Sequence, residues 1–311
     1  MVTLQDIREA ARGLEGVARR TPLVYVEALG AHLKLENEQP VGAFKIRGAY
    51  NAIRNLPDPA RQRGVITYSS GNHGQAVAYA AQRFGVRAVI VMPETAPAVK
   101  IDGVKRWGGE VVLAGRTSED RHRKAEELAA QGGLAVVPPF DHPDIVAGQA
   151  TVALEIVEQL PDVAAVVVPV GGGGLISGVV TGLAAVGSRA VVWGVEPAGA
   201  PKLQRSLAAG APVRLERTAS VADGLITLTV GAVPFAELTR HRERLRGVVL
   251  VEDDSIRDAV HYLWRTCRLA VEPSGAATTA ALLSGAIQPS EEGATVLIVS
   301  GGNVDRSLLE D

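Results

Sequence analysis

Apolar residues in this chain gather into short unbroken runs and do not alternate with polar ones. Eight runs rich in valine and isoleucine recur: "GVITYSS", "RAVIVMP", "EVVLAG", "LAVVPPF", "AAVVVPV", "AVVWGVE", "GVVLVED" and "ATVLIVSGG". Continuity of this kind marks strands covered on both faces, as in parallel sheets, whereas alternation would mark a half-wetted one. Between the runs lie stretches with helical period, among them "GQAVAYAAQRFG", "SEDRHRKAEELAAQGG" and "PDIVAGQATVALEIVEQL". Strand alternating with helix predicts right-handed crossover units and an open α/β architecture. At the start of the chain, "TLQD" has the form of a capping box, with Thr3 as N-cap and Asp6 three residues on.

Three predicted strands run directly into small-residue loops: "VITYSS" into "GNHG", "AVVVPV" into "GGGGLISG", and "TVLIVS" into "GGNVD". Ligands of open α/β sheets bind beyond the carboxyl ends of strands. The three loops are therefore candidates for one shared crevice.

Composition narrows the class. At 311 residues the chain has room for two domains, and 47% hydrophobic with 21% charged residues is an ordinary globular balance. The formal charge of −2, with basic residues scattered, predicts neither a nucleic-acid partner nor an anionic membrane. The densest basic run, "RHRERLR", carries an acid of its own and reads as a solvated helix face. Asp6, Glu9 and Glu15 in the first twenty residues argue against a secretory or organellar leader. No apolar run approaches the ~20 residues that span a bilayer. The single cysteine, Cys267, excludes an internal disulfide and a cysteine metal site. The expectation is a soluble, cytoplasmic protein.

Chemistry is concentrated in two places. Gly171, Gly172, Gly173 and Gly174 join a predicted strand to a predicted helix, so their N–H groups can close on an anion at the helix start. No Lys-Ser/Thr follows, as a P-loop would require. A dinucleotide site is a nearer rival, because the next predicted strand ends in the acid Glu196; but Ser177 stands where the third glycine of G-x-G-x-x-G belongs. One compact phosphate suits four glycines better. The second place is "GAFKIRGA". Lysine occurs only six times in the chain, and Lys45 sits in this small-residue frame beside Phe44. Desolvation near an aromatic ring lowers a lysine pKa and makes the amine nucleophilic. A phosphate cradle with such a lysine points to pyridoxal phosphate, whose aldehyde forms a Schiff base with lysine and whose ring accepts the electrons of a carbanion. His32, His122, His142, His241 and His261 show no metal-ligand spacing, and no Gly-x-Ser-x-Gly elbow supports a hydrolase.

Nine segments, in order, carry a wider likeness: "ENEQPVGAFKIRGAYNA", "TYSSGNHGQAVAYAA", "MPETAP", "FDHPDIVAGQATVALEI", "VPVGGGGLISG", "GVEP", "ADG", "VEPSGA" and "SGGNVD". Together they resemble the threonine/serine dehydratases and serine racemases among the tryptophan-synthase-β-like pyridoxal phosphate enzymes. The resemblance covers nearly the whole chain. It implies two open-sheet α/β domains with the cofactor in the cleft between them. Residues 1–51 and 142–311 would form the large domain and 52–141 the small one. The implied reaction is deamination of L-threonine or L-serine by β-elimination of water, with serine racemisation as the alternative.

The likeness also implies roles. Lys45 would bind the cofactor covalently and Phe44 would pack against its ring. Gly171–Gly174 would hold the phosphate, Asn72 the phenolic oxygen and Ser300 the ring nitrogen. Ser69, Ser70, Gly71, Asn72 and His73 would bind the substrate carboxylate. Gly224 and Glu272 would line the site. Ser70 would be the acid/base opposite Lys45 if the enzyme racemises. A hydroxyl at Ser300 does not enforce a protonated ring nitrogen as a carboxylate would, which favours elimination over transamination. Ala43 stands where serine is frequent in the family. Racemase-type relatives hold a divalent cation (magnesium or calcium) with the glutamate of "VEP", a carbonyl four residues on and an acid two further. Here these are Glu196, Ala200 and Lys202, so either a reduced site remains or Lys202 pairs with Glu196 and replaces the ion. The family resemblance further implies a homodimer or homotetramer.

Overall fold

The computed structural model describes every residue except Ser70, Pro97, 306–308, 310 and 311. Its strands are β1 (Leu23–Val26), β2 (Ala31–Lys34), β3 (Val65–Tyr68), β4 (Ala88–Met92), β5 (Glu110–Leu113), β6 (Ala135–Val136), β7 (Val163–Pro169), β8 (Val191–Pro197), β9 (Leu245–Val251) and β10 (Ala294–Ile298). They form a six-stranded sheet in the order β1-β2-β10-β7-β8-β9 and a four-stranded sheet in the order β5-β4-β3-β6. Every pairing is parallel except that of β1 with β2. All eight predicted runs became strands. The pair β1 and β2 gave no such signal: each has only four residues, and β1 leaves Val24 and Tyr25 exposed at the sheet edge.

The continuous apolar runs have the expected cause. Leu33, Val167, Val195 and Leu297 face one core, built with the helices Asp253–Cys267 and Pro273–Leu283. Val166, Val168, Val192 and Ile298 face the other, under the helices Pro143–Gln159 and Gly174–Ala185. The small sheet is sandwiched in the same way. Val65 and Ile90 meet the helices Lys45–Arg54 and Asn72–Phe84, while Ile66 and Val91 meet Ala125 of the helix Ser118–Gly132. The capping box at Thr3 and Asp6 is formed, and a second one at Thr117 and Asp120 begins the helix Ser118–Gly132. Among the described residues no helix is long and apolar enough to cross a membrane.

Topology decides where a ligand can lie. In the large sheet the chain moves outward from β7 to β8 to β9, while β10 takes the opposite side of β7. In the small sheet β3, β4 and β5 move one way and β6 takes the other side of β3. Each sheet therefore has a switch point, where neighbouring loops diverge and leave a crevice. The loops there are Gly171–Gly174 and Ser300 in one sheet, and Ser69–Asn72 and Pro139–Asp141 in the other. The described residues of all four loops line a single cleft of about 830 Å³.

Candidate active site

Lys45 is the first residue of the helix Lys45–Arg54, and three backbone ties hold the segment before it. Phe44 N donates to Ser300 O at 3.1 Å, Gly302 N donates to Gly42 O at 2.8 Å, and Ala43 bridges Gly301. Gly42 needs its freedom here. Its φ is +71°, and a Cβ would lie 2.5 Å from Asn303 Oδ1. The helix is fastened from beneath by Arg47, which is 1% exposed and pairs with both Glu36 and Glu155 at 2.7 Å. Bidentate pairing of this kind fixes orientation as well as position.

Lys45 Nζ donates to Pro139 O at 2.8 Å and lies 5.2 Å from the centre of the Phe44 ring. Among the described residues no carboxylate pairs with it. Desolvation therefore acts unopposed and lowers its pKa to about 8. At pH 7 roughly one amine in ten is then unprotonated, against fewer than about one in a thousand for an ordinary lysine.

The glycine loop is shaped for an anion. The helix Gly174–Ala185 has Gly173 as N-cap at φ +91° and no side-chain cap, so its first N–H groups are left for a ligand. A Cβ on Gly172 would stand 2.2 Å from Phe140 Cδ1, and one on Gly171 would stand 2.8 Å from Gly224 O. Side chains there would fill the cradle. The helix Asn72–Phe84 likewise has no side-chain cap at Gly71, which leaves a second set of N–H donors facing the cleft. Ser69 Oγ accepts from Gly71 N at 3.2 Å; Ser70 lies outside the described residues.

Asn72 is held from both sides. Its Nδ2 donates to Glu272 Oε1 at 2.6 Å, and its Oδ1 accepts from Asn303 Nδ2 at 2.8 Å. That leaves one amide proton of Asn72 for a ligand oxygen. Burial, reinforced by the negative charge of Asp223, pushes Glu272 up to about 8, so the carboxyl is mostly neutral at pH 7. His73 behaves oppositely. Burial and the nearby Lys45 hold its pKa down to about 3, and its Nε2 donates to Val137 O at 3.1 Å. The ring is neutral and secures the loop to the end of β6; only the His73 backbone N–H is placed to meet a carboxylate. Ser300 Oγ is 3.5 Å from Ser274 O, and Ser274 Oγ accepts from Gly224 N at 2.9 Å. Phe44, Lys45, Ser69, Gly71, Asn72, His73, Gly171–Gly174, Gly224, Glu272 and Ser300 all line the cleft. The ion pairs Lys100–Asp223 and Glu119–Arg214 span it.

Glu196, Ala200 and Lys202 lie elsewhere. Glu196 and Lys202 are each 0% exposed, with Lys202 Nζ 3.0 Å from Glu196 Oε1 and 3.1 Å from Ala200 O. A divalent cation does not fit, because the ammonium stands where the ion would. Among the described residues no cluster of three or more His, Cys, Asp or Glu side chains could hold a metal. The dinucleotide reading fails on the same side chain, since Glu196 is not open to a ribose. Sequence reasoning missed Pro139, Phe140 and Asn303. Each had one local signal, its place in the loop after a predicted strand.

The geometry is that of an α/β protein with an uncapped glycine loop and one lysine, unpaired by any carboxylate among the described residues, in the same cleft. The chain belongs to the pyridoxal-phosphate dependent enzymes, whose family model matches residues 14–301. It is 39% identical to the L-threonine ammonia-lyase of Thermotoga maritima over 316 residues, covering 100% of this chain and 78% of that one. It is 39% identical to the L-threo-3-hydroxyaspartate ammonia-lyase of Saccharomyces cerevisiae, over 97% of this chain and 94% of that one. The solved structure of maize serine racemase superposes with a TM-score of 0.93 at 36% identity, covering 99% and 95% of the two chains. The chain is thus a member of the ammonia-lyase and racemase group of pyridoxal phosphate enzymes.

Proposed function

We propose that this chain is a threonine ammonia-lyase, converting L-threonine to 2-oxobutanoate and ammonia, and L-serine to pyruvate, by β-elimination of water. The observation that carries the reading is Lys45, an amine without a carboxylate partner among the described residues and with a lowered pKa, set in the cleft with the glycine cradle.

Pyridoxal phosphate fits the residues present: an anion cradle that any Cβ would fill, a nucleophilic amine, and donors at Asn72 and Ser300. When bound, it supplies an electron sink for negative charge at Cα. The chain's residues do the rest. Gly171–Gly174 bind the phosphate through backbone N–H groups, and Asn72 and Ser300 orient the ring. The uncapped start of the helix Asn72–Phe84 receives the substrate carboxylate. Lys45, as a free amine, takes the Cα proton and, as an ammonium, returns it to the departing β-hydroxyl, which leaves as water. The product enamine hydrolyses to the keto acid and ammonia. Neutral Glu272 adds no negative charge beside Asn72. The lobe of residues 52–141 closes on the substrate against 1–51 and 142–311, the helix Lys45–Arg54 straddling that division. Small-angle scattering with and without a substrate analogue checks closure; an unchanged radius of gyration counts against it.

Serine racemisation is the second reading, supported by the likeness to the maize enzyme, with Ser70 as its acid/base. Incubation with each L-amino acid, followed by keto-acid quantification and chiral analysis, decides between them. The expected result is 2-oxobutanoate from threonine and little D-serine from serine. D-Serine forming faster than pyruvate would overturn the assignment. We take the working form to be a cytoplasmic homodimer or homotetramer, which light scattering and fractionation test.

A further inference from the structure

Lysine is an unexpected residue with which to begin a helix. The positive end of the backbone dipole lies there and disfavours a cation. Yet the helix Lys202–Ala209 opens on Lys202 and has no acid in its first turn. Lys202 is also completely buried. Oxygen offsets both costs. An ammonium has three N–H bonds, and each finds an acceptor: Glu196 Oε1 at 3.0 Å, Val170 O at 3.0 Å and Ala200 O at 3.1 Å. Glu196 also accepts from Leu203 N at 2.8 Å and Gln204 N at 2.9 Å. One carboxylate thus caps the helix and neutralises its first side chain. The three oxygens come from the residue after β7, the end of β8 and the turn beyond it. Val170 immediately precedes the phosphate loop.

We infer that Lys202 is a resident cation: its ammonium replaces a divalent ion beneath the phosphate loop and fixes Gly171–Gly174 without metal. It does not line the cleft and acts through Val170, so it is a positioning residue. The inference depends on the oxygen cage and not on which amino acid is the substrate.

The test titrates the purified holoenzyme with calcium chloride, magnesium chloride and EDTA while Tm and bound metal are measured. Wild-type protein is expected to show no shift and no stoichiometric metal. A saturable rise in Tm with either ion, or one metal retained per chain, overturns the inference. Lys202→Asp shortens the arm and adds an oxygen ligand, and an ion at about 2.3–2.6 Å from its ligands, as calcium prefers, refills the gap. In EDTA this variant is expected to melt on the order of 10 °C below wild type and to regain most of the loss with calcium or magnesium. Lys202→Met is expected to lose as much and regain nothing. Cofactor titration separates positioning from bulk stability. Well below the melting range, both variants should bind pyridoxal phosphate roughly tenfold more weakly with kcat preserved at saturating cofactor, and calcium should restore affinity in Lys202→Asp alone. A folded Lys202→Asp protein that responds to no cation, or an unchanged cofactor Kd in both variants, also overturns the inference. Should neither variant fold, the wild-type titration decides by itself.

Discussion

Lys45 and Lys202 each stand at the start of a helix, Lys45 half-buried on the cleft and Lys202 fully buried, and burial pulls the pKa of each down. They differ in what answers that burial. Lys202 has Glu196 within 3.0 Å and two backbone carbonyls, so the carboxylate pushes back and the charge is kept. Lys45 has one carbonyl and the face of an aromatic ring. Lys34 repeats the structural pattern, with Glu155 at 2.6 Å. Burial by itself does not make a lysine reactive. The proposed function needs the amine that, among the described residues, has no carboxylate beside it, whereas the lysine paired with Glu196 stays structural.

The contrast breaks most severely where the amine is removed. Lys45→Ala should lower keto-acid formation by on the order of 10³-fold or more while leaving Tm near wild type. Residual turnover within tenfold of wild type would refute its role. On the structural side, Glu196→Ala strands the buried ammonium of Lys202 and should cost about 3–5 kcal/mol in urea unfolding. A loss no larger than a surface substitution would show that the pair is not what holds this corner.

Protonation sharpens the comparison next. Only the unprotonated amine attacks an aldehyde, so the rate at which apo-protein takes up pyridoxal phosphate should rise roughly tenfold per pH unit and level off near pH 8. A rise continuing toward pH 10 would place Lys45 among ordinary lysines. Linkage supplies an independent sign. Folding lowers this pKa, so the unfolded chain holds the extra proton between pH 8 and 10.5, and the Lys45 contribution to apo-protein stability grows as pH climbs through that window. Glu272 runs the other way. Its folded pKa is raised to about 8, so its contribution is fullest below 4.5 and is lost as pH rises toward 8. Glu272→Gln should remove that slope while retaining activity at pH 7, as paired pH-dependent melts would show. The smallest effect belongs to Asn303→Ala. Loss of one hydrogen bond to Asn72 is worth about 1 kcal/mol, or roughly fivefold in cofactor affinity.

The architecture was readable where its cause is local. Strands buried on both faces must be continuously apolar, so β3 to β10 announced themselves, and Thr3 with Asp6 announced a helix start. The pair β1 and β2 did not, because each has only four residues, β1 is half-exposed at the sheet edge, and β2 carries a histidine and a buried lysine among its apolar positions. At the site, the residue types spoke for themselves where chemistry demands them: a lysine in a small frame and four consecutive glycines. What stayed hidden were relations across the chain. Pro139 meets Lys45 only because β6 pairs beside β3, and Arg47 meets Glu155 only through the packing of two helices. Glu196 looked equally suited to a ribose, a metal or a lysine. Only the fold shows that all three protons of the Lys202 ammonium are already taken.

The most direct test of the central claim is to reduce the holoenzyme with borohydride and map the pyridoxyl adduct by peptide mass spectrometry. A single adduct on Lys45 is the expected result. An adduct on Lys202 or any other amine, or none at all, would contradict it.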